Sequence, residues 1–146
     1  ALAIADGEWV HVVTTYNDAT STAAQETLVY INGTKHIQNV GFGSPASLPS
    51  GPGNGFTIGK RGGYTGNELN GKLDEVSVFT KELSQSEITA IYNSGVPTDL
   101  TGHDGLVHWW RCGDSDAGTG TTITDAVGSN DLTLENGPSF IEDVPS

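Results

Sequence analysis

The chain has 146 residues, a formal net charge of −12 and only six Lys plus Arg, which gives one domain's length and a poor partner for nucleic acid or an anionic membrane, since both require clustered cations. A hydrophobic content of 35% with 20 glycines suits short strands joined by Gly-rich turns better than a helical bundle. Cys112 is the lone cysteine, so no intrachain disulfide forms, and no His arrangement marks it as a nucleophile. No apolar run reaches the roughly 18 residues of a membrane span. The chain shows no signal peptide and starts without Met, and is read as a processed product or a piece of a longer protein.

In chain order, residues 9–16 are apolar or β-favouring on both faces, which predicts a central strand with His11 packed inside it. A polar loop spans 17–25. Glu26–Ile31 reads as a strand, Asn32-Gly33 as a tight hairpin turn, and 34–40 as the returning strand. A long Gly/Pro/Ser loop covers 41–55, 56–59 reads as a short strand, and 60–67 as a second Gly-rich loop.

The stretch 70–92 organises the rest. Leu73, Val76, Val78 and Phe79 form the apolar part of a strand. Leu73 and Val76 break the two-residue alternation, so a bulge is expected near Asp74-Glu75. Ser84-Gln85-Ser86-Glu87 is a capping box opening a helix over 84–94, with Leu83 stapling its entry, Ile88, Ile91 and Tyr92 on one face, and Gly95 then Pro97 ending it. A helix this short does not hold itself together in water and needs a larger surface to pack on. Beyond it, 105–111 is a strand bearing Trp109 and Trp110, on opposite faces, so that at most one is expected in the core. An acidic turn, a Thr-rich segment over 121–125 and a short strand at 132–134 follow.

Three of these stretches carry a family resemblance. Trp9-Val10-His11-Val12 resembles the Trp-x-His-Val strand of laminin-G-like, concanavalin A-like sandwich domains. Tyr30-Ile31-Asn32-Gly33 is similar to that family's hairpin. Gly71 through Tyr92, with Asp74-Glu75-Val76, Leu83-Ser84 and Glu87-Ile88, looks like the family's closing strand and helix. The resemblance implies an all-β, two-sheet antiparallel jelly-roll sandwich with one short helix. Residues 105–137 resemble the family's opening strands, through an apolar-Val-x-Trp strand, a Thr-x-x-Asp-x-x-Gly segment and Asn130-Asp131. The order is therefore rotated: 1–97 is the closing half, and 98–146 either completes the same sandwich or begins a further repeat.

Function follows less directly, because this fold hosts lectins, adhesion modules, enzyme appendages and virion parts. A glycosidase needs two carboxylates facing one groove. Adjacent Asp74 and Glu75 point apart, and no Gly-x-Ser-x-Gly elbow is present, so a non-enzyme is expected. Sugar recognition uses aromatic faces flanked by polar side chains, and Tyr64 with Arg61 and Asn67, and Trp110, are the candidate glycan ligands. Calcium takes carboxylate and carbonyl oxygens, and Asp114, Asp116, Asp125 and Asp131, joined by Asp74, are its candidate ligands; the bland alternative is that these side chains simply hold turns. The leading expectation is an adhesion or glycan-recognition module, extracellular or on a virion surface, bound to a cell-surface glycan or to other virion subunits, as a homo-oligomer or larger assembly. The Trp109-Trp110-Arg111-x-Gly113-Asp114 pattern resembles repeats of marine phage virion proteins and points to a fibre, tail or capsid decoration. A purely structural subunit-packing module, or an accessory domain of a secreted carbohydrate-active enzyme, is the alternative.

Overall fold

The computed structural model describes residues 6–17, 26–36, 56–60, 66, 68–114 and 116–145. They build a mostly-β chain with one short helix, in the order β1 (Val12–Asn17), β2 (Glu26–Ile31), β3 (Thr34–His36), β4 (Val76–Phe79), α1 (Gln85–Tyr92), β5 (Leu106–Trp110), β6 (Thr122–Ile123) and β7 (Leu132–Thr133). Pairing is antiparallel throughout, in three sheets: β1-β2-β3, β4-β5 and β6-β7.

The first sheet is built around its turn. Asn32 (φ 48) and Gly33 (φ 72) both adopt the left-handed conformation that a two-residue hairpin turn demands. The Asn32 amide donates to the His11 carbonyl at 2.9 Å, and its side-chain oxygen accepts from the His11 amide at 3.0 Å, so the turn also pins the entry to β1. Along β1, Val13 and Thr15 face Tyr30 and Leu28 across the ladder. Leu28 and Tyr30 join Leu83 and Ile88 in one buried cluster, with Val13, Phe79 and Ile91 against it.

The helix covers that face. Ser84 caps it through the Glu87 amide, and the Glu87 carboxylate reaches back to the Ser84 amide at 2.8 Å. Lys81, beside it at 2.8 Å, and the Ser84 amide and hydroxyl hold the Glu87 carboxyl at about 2. Leu83, just ahead of the cap, and Ile88 bury together as the staple requires. Tyr92 stacks on His11 with ring centroids 5.6 Å apart, while Gln85 donates to the Gly33 carbonyl at 2.7 Å. A methyl group at Gly33 would lie 3.0 Å from the Tyr92 ring, so this glycine is required by contact as well as by φ.

Several sequence expectations are corrected here. The left-handed cap of α1 is Asn93 (φ 41) rather than Gly95, which instead closes a 3-10 turn, Asn93–Gly95, that continues from the helix; Asn tolerates the left-handed cap. The strand expected from residue 9 starts at Val12, and the one expected over 56–59 reduces to a single bridge between Lys60 and Glu68, because Gly59 (φ 75) leaves the extended region. The irregularity foreseen at Asp74-Glu75 divides in two. Glu75 itself is left-handed (φ 51), which explains the broken alternation, whereas the register shift falls between Val78 and Phe79, where Val107 of β5 is the extra residue. The return beyond His36 and the loops at 18–25, 37–55 and 61–65 lie outside the described residues. Among the described residues, no helix is long and apolar enough to cross a membrane.

Two stability measurements test this packing. Ile88 is 0% exposed, so Ile88→Ala is expected to cost about 2–5 kcal/mol in urea unfolding. Exposed Ser94 holds an unfavourable φ without a tertiary partner among the described hydrogen bonds, so Ser94→Gly is expected to stabilise the chain by up to about 1 kcal/mol.

Candidate functional site

The most organised cluster of polar and aromatic side chains lies where β5 meets the turn between β6 and β7. Its centre is Asp125, 5% exposed. Its Oδ1 accepts from the main-chain N–H of Trp109 at 3.0 Å, Gly128 at 2.9 Å and Val127 at 3.3 Å. Its Oδ2 accepts from the Asn130 N–H at 3.2 Å and lies 2.6 Å from His108 Nδ1. Burial is the largest single influence on this carboxyl and disfavours its charge. The donors from Gly128, His108, Trp109 and Asn130 together outweigh it and hold the group well below the usual carboxylate range. The Asp125 N–H in turn donates to Asp131 Oδ1 at 2.9 Å, and the Ala126 N–H to the Trp109 carbonyl at 2.8 Å. Gly128 is obligatory here: a methyl at that position would stand 2.4 Å from Asp125 Oδ2 and 2.7 Å from His108 Nδ1.

The aromatic side chains are stacked on this hub. His108 and Trp110 lie on one face of β5 with centroids 5.4 Å apart, and Phe56 stacks on Trp110, also at 5.4 Å. The Trp110 indole N–H donates to the Asn130 carbonyl at 2.8 Å, and the Asn130 side chain sits 3.2 Å from His108 Nε2. On the other face, the Trp109 indole N–H donates to Glu75 at 2.6 Å. Arg111 lies over the Trp109 ring at 4.9 Å and donates to the same carboxylate at 3.3 Å. Both tryptophans are therefore buried, at 4% and 2% exposure, which corrects the expectation that only one could be. Each indole N–H has a partner, and each ring is covered by a different segment of chain.

The candidate residues fare unequally. Trp110 is enclosed between Phe56 and His108 and offers no open face to a sugar ring. Arg61, Tyr64 and Asn67 lie outside the described residues. Of the calcium candidates, Asp125 and Asp131 bind main-chain N–H groups of the β6–β7 turn. Asp116 accepts from the Thr124 N–H at 3.1 Å and from its hydroxyl, and Asp114 accepts from Arg111. Asp74 accepts from the Glu75 N–H at 2.9 Å; its carboxyl is raised, first by burial and also by the nearby Asp114 charge. Among the described residues, no group of three or more His, Cys, Asp or Glu is placed to hold a metal ion. Burial likewise raises Glu75 and pushes the Cys112 thiol up to about 11, where it is a poor nucleophile.

Sequence reasoning named Asp125 as a metal ligand, Glu75 as part of a bulge and Gly128 only as the end of a Thr-x-x-Asp-x-x-Gly pattern, and assigned none of them its place in the site. The spacing Asp125-x-x-Gly128 was the available signal. An aspartate three residues before a glycine is a turn that folds over its own carboxylate.

An antiparallel, mostly-β scaffold with one capped helix closing a face fits a concanavalin A-like domain. The family comparison agrees: the description of the Concanavalin A-like lectin/glucanases superfamily matches residues 1–89. The chain belongs to that superfamily. No curated protein and no solved structure matches it.

Two substitutions test the hub. Asp125→Ala strips acceptors from several buried N–H groups and is expected to cost about 3 kcal/mol or more, with Gly128→Ala costing about 1–3 kcal/mol by crowding, both read from denaturant midpoints. The pH dependence has a definite sign. A carboxyl depressed in the fold contributes fully above its ordinary value of about 4, and that contribution is lost as pH falls further. Stability of the wild type should therefore fall more steeply below about pH 4 than that of Asp125→Asn, in thermal scans across pH.

Proposed function

We propose that the chain is a non-catalytic carbohydrate-recognition module whose strands, helix and hub form a scaffold and whose loops contact the ligand. The observation that carries this reading is the employment of its buried carboxylates. Asp125 holds five N–H donors and Glu75 holds Trp109 and Arg111, whereas glycoside hydrolysis needs a carboxylate pair free to face a substrate. Membership of a superfamily described by lectins as well as glucanases supports a sugar as the ligand. In this reading the two halves form one jelly-roll sandwich. Support comes from β5, outside the matched residues, pairing antiparallel with β4 inside them.

The ligand set proposed from the sequence is Tyr64 with Arg61 and Asn67, which fall between Lys60 and Glu68 in the chain. A calcium ion belongs to the proposal through the acidic turns and the net charge of −12; a melting midpoint that falls on chelation would support it, and an unchanged midpoint would remove it. An extracellular or virion-surface location, as part of a phage fibre, tail or capsid decoration, is proposed on the Trp109–Asp114 resemblance. The alternative, a subunit-packing module, is favoured by the exposure of apolar side chains such as Val12, Leu69, Leu73 and Ile141.

An array of immobilised oligosaccharides, combined with sedimentation velocity, separates these readings. The expected result is glycan binding that weakens about tenfold in Tyr64→Ala. Self-assembly without any glycan signal would overturn recognition in favour of packing.

A further inference from the structure

Phe56 is a large apolar ring with 61% of its surface exposed, yet it is not loosely held. Its inner face stacks on Trp110 at an interplanar angle of 25°. Trp110 is buried, stacks in turn on His108 at 17°, and is fixed by its indole hydrogen bond to the Asn130 carbonyl. His108 is anchored by Asp125. The three rings therefore form a column whose base is the hydrogen-bonded hub and whose top is a phenyl face. Burying a hub of this kind to hold an exposed ring in one orientation gives a preorganised flat surface, which lowers the ordering cost of a ligand that stacks on it.

Among the described residues of that segment, Lys60 and Glu68 pair with each other at 3.4 Å. The chain as a whole carries −12, so sulfated or carboxylated glycans meet repulsion. A flat apolar face fits the C–H face of a sugar ring, and the net charge of the chain favours a neutral one.

We infer that the outward face of Phe56 is a stacking platform for a neutral pyranose. The platform lies within a few residues of the Lys60–Glu68 bridge. The inference rests on the carbohydrate-recognition reading above and adds the residue and the ligand class.

The test measures binding of full-chain protein to immobilised cellohexaose, xylohexaose, maltohexaose and galactohexaose, with heparin as the polyanionic comparison. Wild type is expected to bind at least one neutral hexaose and to ignore heparin. Phe56→Ala and Phe56→Leu should each weaken that binding about tenfold, with Phe56→Tyr retaining it. Near-UV circular dichroism and melting midpoints identify variants that have lost the Trp110 environment; Phe56→Leu keeps apolar cover over Trp110 while removing the ring. Undiminished hexaose binding in a folded Phe56→Leu variant overturns the platform and leaves carbohydrate recognition standing. Preference for heparin overturns the neutral ligand class. Absence of binding to every glycan overturns both readings, and dimerisation that Phe56→Leu abolishes assigns the ring to a subunit contact instead.

Discussion

The whole trailing half of the chain hangs on one carboxylate. Asp125 is buried, and burial alone would force it to take up a proton. It stays ionised because backbone amides from its own turn, the Trp109 amide from β5 and the His108 ring all point at it. Remove the charge and those donors are orphaned together; remove any donor and the charge is less well compensated. The same constraint fixes the spacing of the turn. Gly128 must be glycine because the loop curls back until its Cα lies against the carboxylate, and Asp131 completes the turn by accepting from the Asp125 amide. β6 and β7, two residues each, are far too short to define this geometry by pairing alone.

From that hub, order passes outward along β5. Trp109 and Trp110 are adjacent and face opposite ways, so each needs cover from a different quarter. The hub side supplies His108 and, beyond Trp110, Phe56. The other side is supplied by Glu75 and Arg111. Glu75 reaches its place because it adopts a left-handed φ, which costs on the order of 1 kcal/mol for a non-glycine residue and is offset by two hydrogen bonds to a buried indole and a guanidinium. β4 then connects this aromatic layer to the helix-covered sheet, with Phe79 in the first cluster and Val76 opposite Trp110.

What was readable from sequence, and what was not, divides along the distance between partners. The capping box at Ser84 and Glu87, the Leu83–Ile88 staple and the Asn32-Gly33 turn are contacts between residues a few positions apart, and local chemistry is enough to recognise them. The kink at Glu75 was visible as a broken alternation, but its conformational form was not, because a lost period is compatible with either a bulge or a left-handed residue. The burial of both tryptophans was invisible for a different reason. Two of their covers, Phe56 and Glu75, come from segments 54 and 34 residues away in the chain, and only the tertiary fold brings these to β5. Asp125 illustrates the hardest case: the same aspartate satisfies the composition of a cation site and of a self-capping turn, and the two differ only in whether main-chain N–H groups or a metal fill its oxygens.

That ambiguity bears on the chain's acidity as a whole. With 18 Asp plus Glu against six Lys plus Arg, ion pairing cannot neutralise most carboxylates. In the described residues main-chain N–H groups share the compensation with the ion pairs. Asp74, Asp99, Asp116, Asp125 and Asp131 each accept from a main-chain N–H. Peptide dipoles carry no mobile counterion and lie in contact with the carboxylate, so salt screens them far less than it screens surface pairs such as Lys60–Glu68. The scaffold thus tolerates a large negative charge by building it into turns. The electrostatic repulsion that remains at the surface works against anionic partners.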